Sequence, residues 1–176
     1  MENKLAVQIS QAMAKEFERR VMGESIPRIK KCLSLLNEEE VWYRPNENIV
    51  SVGNLILHLC GNARQWILCG VGEQLDHRNR DAEFAETGPH TKHQLVVQMD
   101  ELAVEIRRVL GNLEPEMLLE KRPVQAFDES VLSMLVHVIE HFSYHTGQIT
   151  FLTKSLKNID TKYYGNINLN AKKGNT

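Results

Sequence analysis

A chain of 176 residues is long enough for one domain with a sizeable core and short for two, so a single domain spanning residues 1–176 is expected. Apolar residues at 42% and charged residues at 25%, with a formal net charge of −2, describe an ordinary globular protein without the basic face that neutralises phosphates, and no nucleic-acid partner is expected. No apolar run approaches the roughly 20 residues of a membrane-spanning helix, and the opening MENKLAVQISQAMAKEFERR scatters charges where a secretory signal has its apolar stretch, which predicts a cytoplasmic protein with no membrane attachment.

Leu5, Ile9, Met13, Phe17 and Val21 recur every four residues, and Ile29, Leu33 and Leu36 extend the stripe, which predicts a first long helix from residue 4 to about residue 36. Gly23 and Pro27 are expected to bend or break it. Asn37 opens the acid-rich first turn of a short helix that Pro45 stops. From Ser51 onward, VGNLILHLCGNARQWILCGV over residues 52–71 is apolar nearly all round, the pattern of a second long helix buried on several sides.

Residues 72–92 are polar and aperiodic. A connection of about 20 residues is long for a compact domain and reads as a crossover between distant ends. Leu95, Met99, Leu102, Ile106 and Leu110 then mark a third amphipathic helix, and EPEMLLEK reads as a short acidic turn with Pro115 in its first helical position. A fourth long helix runs from about Ser130 to Leu156. The tail after Asp160 is rich in Asn, Gly and Lys and reads as loop, with Tyr163 and Tyr164 docking on the body. No strand pattern is legible. The elements add up to an all-α four-helix bundle whose long connection makes the second and third helices parallel.

Three of the seven histidines lie in HVIEHFSYHTGQI. His137, His141 and His145 step by four, so they share one slowly turning stripe and climb the axis at about 1.5 Å per residue. The first and last are then about 12 Å apart, and one ion cannot take all three. An adjacent pair can, joined by a ligand from elsewhere. His58, in the most apolar stretch, is the candidate, since an unpaired ring nitrogen there costs roughly 1 to 3 kcal/mol. Either it is a hydrogen-bonded core histidine, or it joins the pair on a facing helix in a three-imidazole site with an open position for water or substrate.

Other metal motifs fail on spacing. Glu140 is followed three residues on by Ser143, not the His of a di-iron bundle, and Val138 and Phe142 replace the Glu of H-E-x-x-H. Asn54 and Asn62, at −4 and +4 from His58, and Gln148, three residues after His145, read as polar walls of a binding cavity or as hydrogen bonds between helices. Gly147 allows close backbone approach. Cys32, Cys60 and Cys69, an odd set without C-x-x-C, are expected as reduced, mostly buried thiols. Phe142 and Tyr144 read as packing residues, and His77, His90 and His93 as solvated.

Together, VWYRPNENIVSVGNLILHLCGNARQWI and HVIEHFSYHTGQI resemble the DinB-like superfamily over roughly residues 10–165. Its members include YfiT-type metal-dependent hydrolases, bacillithiol transferases and the mycothiol-dependent maleylpyruvate isomerase domain. The resemblance implies a bundle with up-down-down-up connectivity, in agreement with the crossover. It also implies metal ligation by one histidine of the second long helix and by an H-x-x-x-H that runs into H-x-G-Q. Those positions are His58, His141 and His145, which leaves His137 outside. Three neutral imidazoles suit a divalent ion such as zinc or nickel. The activity implied is transfer of a low-molecular-weight thiol to an electrophilic small molecule, or hydrolysis of one. The other reading of the same residues is a non-catalytic metal or small-ligand binding protein. A homodimer is expected from the family's habit, from the apolar side chains of the first helix and from Trp66.

Overall fold

A computed structural model of the chain describes residues 2–88, 90–165 and 167–172, with side chains from residue 4 onward. The fold is mostly helical, with one small two-stranded sheet. The first helical stretch consists of α1 (Glu2–Phe17), a π-helical segment Glu18–Ser25 and α2 (Ile26–Leu35). The expected break at Gly23 and Pro27 does not occur. The chain stays helical by widening into the π-helical segment directly before α2, and this local change of bonding accommodates Pro27, which has no N–H for an α-helical ladder.

The short helix α3 (Glu38–Trp42) starts at Asn37, whose side chain accepts from the Glu40 N–H while Glu40 reaches back to the Asn37 N–H. Helix α4 (Val52–Ala63) begins with the same reciprocal pairing between Ser51 and Asn54 and continues as a π-helical segment, Arg64–Val71. Ten of the twelve α4 residues are buried, as the all-round apolar sequence predicts. The long connection that follows is not uniform loop: it carries α5 (Arg80–Ala85), which Asn79 caps. Helix α6 (Lys92–Gly111) follows a Thr91–Gln94 capping box.

A 3-10 turn, Pro115–Leu119, leads into an antiparallel hairpin of β1 (Lys121–Val124) and β2 (Phe127–Ser130), in register Lys121 with Ser130 through Val124 with Phe127. These strands correct the all-helical expectation. Each has four residues, Pro123 sits within one, and the turn places Gln125 at φ 53° where a Gly or Asn would have signalled a hairpin. Helix α7 (Val131–Lys157) is capped by Ser130 and ends at Asn158 in the left-handed region.

A single core runs through the molecule, with Phe17, Ile29 and Leu33 meeting Ile56, Leu59 and Ile67, then Leu95, Met99 and Leu102, and Leu135, Val138 and Phe142 of α7. The hairpin closes over the end of the second stretch: Phe127 lies 6.3 Å from the Trp66 ring, and Arg122 donates to the Val71 carbonyl. Trp66 is only 4% exposed, so it is a core residue and not the uncovered surface the dimer expectation assumed. In the tail, Tyr163 docks as expected, its hydroxyl 2.6 Å from Thr150 Oγ1 and 3.1 Å from Cys32 Sγ. Tyr164 stays exposed beside Arg28. Cys32 and Cys60 are buried, whereas Cys69 is partly exposed. Among the described residues no helix is long and apolar enough to cross a membrane.

Candidate metal centre

Helices α4 and α7 face one another across the middle of the core, and their registers set the site. His58 of α4 meets His141 of α7, with the two Nε2 atoms 3.0 Å apart. His145, one turn further along α7, has its ring 5.1 Å from that of His58 and 4.4 Å from that of His141. Each histidine offers one ring nitrogen, and the three atoms lie within 4.8 Å of one another. His58 and His145 are buried and His141 is half-buried.

His137 is one turn back. Its ring stacks on Trp66 at 3.7 Å and its Nε2 meets the Asn62 side-chain amide at 3.2 Å, so it belongs to the wall beside the cluster and not to the cluster.

Burial favours the neutral form of the α7 imidazoles. It is the largest cause at His141, whose pKa is pushed down to about 3 with further help from His145, His58, His137 and Arg78. At His145 burial outweighs the hydrogen bond with Gln148, and the pKa again falls. A neutral imidazole is the form that ligates a metal.

Two contacts orient the rings. His145 Nδ1–H donates to Gln148 Oε1 at 2.6 Å, which leaves Nε2 as its free nitrogen. On the other helix, His58 Nδ1 lies 2.9 Å from Glu83 Oε2, which turns its Nε2 toward His141. Glu83 comes from α5, inside the crossover, and was not picked out from the sequence. Burial alone would raise its pKa, but hydrogen bonds from Arg78 and then His58 outweigh this and hold it low, as a carboxylate. Arg78 grips it with Nε at 2.7 Å and Nη2 at 2.8 Å, and Phe84 packs on the His58 ring at 4.7 Å.

Gly61 makes room for this arrangement. A Cβ there would collide with the Glu83 carboxylate and approach Arg78 Nε to 3.1 Å. The acid-rich turn NRDAEFAE was the available signal, but nothing along the chain ties one of its carboxylates to His58.

The expected cavity residues fall in three different places. Asn54 is fully buried and fixes the crossover: its Nδ2 donates to the carbonyls of Glu83 and Glu86, and its Oδ1 accepts from Ser51 and Arg44. Asn62 packs against His137, with its Oδ1 lacking a hydrogen-bond partner among the described residues. Gln148 touches His145 directly. Tyr144, expected in packing, is 64% exposed, with its hydroxyl 3.3 Å from Gln148 Nε2, while Phe142 is buried. Cys60 lies outside the cluster, and burial pushes its thiol up to about 12.

The donor set therefore fits a divalent cation. It consists of three imidazoles converging from two helices, with one ring backed by a carboxylate in the carboxylate–histidine arrangement common around metals.

A family model described as "Protein of unknown function (DUF1572)" matches residues 8–167. No curated protein matches the chain. Among solved structures, a DinB-like protein from Bacillus cereus ATCC 10987 superposes with a TM-score of 0.61 at 17% identity, over 77% of this chain and 87% of that one. The DinB-like protein YjoA from Bacillus subtilis does so with a TM-score of 0.61 at 15% identity, over 85% of this chain and 94% of that one. At such identities the likeness speaks for the fold alone.

Proposed function

The chain belongs to the family described as "Protein of unknown function (DUF1572)" and has the DinB-like fold, and from that premise we propose that it is a metal-dependent enzyme transferring a low-molecular-weight thiol to an electrophilic small molecule. The ion is zinc or nickel, held by His58, His141 and His145. The convergence of three imidazole ring nitrogens within 4.8 Å carries this reading. A divalent ion at three uncharged ligands keeps its full positive charge, which favours the anionic, nucleophilic form of a thiol or water near neutral pH.

The chain's own residues do the rest. Glu83 fixes the His58 tautomer, Gln148 fixes that of His145, and Phe84 keeps bulk water off the back of the His58 ring. In the reaction the thiol exchanges its S–H bond for an S–C bond while the bond from the electrophilic carbon to its leaving group breaks, the electron pair going with that group and the thiol proton passing to it or to solvent. With water in place of the thiol, the same site hydrolyses its substrate.

The up-down-down-up bundle is part of the proposal. Arg64 pairs with Glu105, and the space over Gly72 is filled by Val109, so the second and third long stretches climb together. Trp66 meets His137 and His58 meets His141, the order of opposed helices. Glu18 meets Arg107 and Lys30 meets Asp100, the opposed sense, while Cys32 meets Thr150 and, further along both, Glu40 of α3 meets Lys157, the same sense. These contacts support parallel second and third helices flanked by a parallel first and fourth. A homodimer is proposed as well, on Leu5 and Ile9, which are 60% and 53% exposed on α1.

The test is metal-dependent thiol consumption. The metal-loaded protein is incubated with a panel of cellular thiols and a model electrophile, and the product is read by mass. A mass-shifted conjugate that disappears after chelation supports the enzyme. Full metal occupancy with no conjugate and no hydrolysis leaves a binding protein.

A further inference from the structure

A cavity of about 450 Å³ adjoins the metal centre through Gln148. Its walls are Ile49 and Val50 from the loop before α4, Leu55 from α4, and Phe151 and Leu152 from α7. Small-molecule sites have this size and this mostly apolar lining, with a few convergent polar groups that orient the ligand.

Here the polar side chains are Gln148 and Tyr144 from α7, with Asn48 from the loop before α4 at the rim. Gln148 Oε1 is taken by His145 and one hydrogen of its Nε2 points to Tyr144 Oη, which leaves the second amide hydrogen and the tyrosine hydroxyl as donors. No charged side chain lines the cavity, so a charged ligand would lose its water without gaining a counter-charge. Gly147 also lines the cavity, and the close backbone approach expected there does not occur: a Cβ on it meets nothing within 4 Å, which leaves space for a larger side chain.

We infer that this cavity is the subsite for the electrophilic substrate, and that it takes an uncharged molecule with an aliphatic or aromatic body and a carbonyl-type oxygen. The oxygen accepts from Gln148 and Tyr144, and the body lies against Leu55 and Phe151, so the carbonyl end is held at Gln148, on the Nδ1 side of His145. A second copy of the chain is the poorer occupant, since an apolar helix face pressed into the cavity would bury the free Gln148 N–H without an acceptor. The catalytic meaning of the subsite rests on the metal-centre reading, but the binding property does not.

The test uses the full zinc-loaded chain and prodan, an uncharged naphthalene ketone whose emission moves to the blue in apolar surroundings. Saturable binding with a blue shift is expected for the wild type. Gly147→Leu fills the cavity and Phe151→Glu places a charge on its wall, where Phe151 is 72% exposed and outside the core. Each should weaken prodan binding by about tenfold or more, with zinc content per chain unchanged. Absence of a blue shift in the wild type, or equal affinity in the wild type and both variants, overturns the subsite. A wild-type dimer that binds no prodan and becomes monomeric on Phe151→Glu identifies a second copy as the occupant and overturns it as well. Prodan binding that follows the expected pattern in a chain that takes up no zinc upholds the subsite and removes the metal-centre reading.

Discussion

His137 and His145 flank His141 at equal spacing, yet only one of them joins it and His58, and the difference shows how far residue patterns reach. Spacing alone reduced the stripe to an adjacent pair, and the H-x-G-Q resemblance selected the pair. The structure places His145 in the cluster and stacks His137 on Trp66. Replacing His58, His141 or His145 by Ala should therefore lower zinc affinity by orders of magnitude in a competition titration, whereas His137→Ala should leave most of it intact. Glu83 was illegible because its role arises from chain reversal through the crossover, over 25 residues of separation from His58. Glu83→Gln should weaken zinc binding by about 10- to 100-fold, the range seen for lost outer partners of metal-bound histidines. Gly61→Ala should have a similar effect by displacing the same carboxylate.

A pH prediction belongs to the same scale. Because the folded state holds the His141 pKa down at about 3 against an ordinary 6.5, protons prefer the unfolded chain. The contribution of this group to the stability of the metal-free protein is thus full above pH 6.5 and is lost progressively as pH falls toward 3. Denaturant titrations at about pH 7 and about pH 5 should show the decline, and His141→Gln should flatten it. An unchanged slope in that variant would assign the pH dependence to other groups.

At the scale of elements, the long helices were legible from sustained apolar patterning, periodic in the first and third and nearly all round in the second, and three of them also start at a cap: Ser51 before α4, Thr91 before α6 and Ser130 before α7. The hairpin was not. Strands of four residues cannot establish a period, and Gln125 at φ 53° hides the turn. That residue is also the test of the turn's strain. Gln125→Gly should stabilise the protein by up to about 1 kcal/mol, a rise in Tm of about 2–4 °C for a chain of this size, measured by thermal unfolding. The π-helical segments were equally hidden, since apolar side chains spaced for an α-helix read the same through a local widening. The polar crossover was recognised by its length. Its fixed conformation depends on Asn54 and Arg44 binding its carbonyls, a tertiary feature invisible to composition.

For the whole molecule, length and charge bounded the architecture, and packing decided what remains uncovered. Trp66 lost its place in the dimer argument once the hairpin and His137 covered it, while Leu5 and Ile9 stayed outside. Light scattering at micromolar concentration should give the mass of two chains, and Leu5→Glu combined with Ile9→Glu should give one. A monomeric wild type would contradict the dimer and leave the metal centre untouched. The central claim is that α4 and α7 bring three histidines to one ion, and it is tested most directly by X-ray absorption at the zinc edge of the loaded protein. The expected spectrum has three imidazoles around one zinc per chain and no sulfur, with one imidazole lost in His145→Ala and none in His137→Ala. A sulfur scatterer, or the loss of an imidazole in His137→Ala but not in His145→Ala, would contradict it.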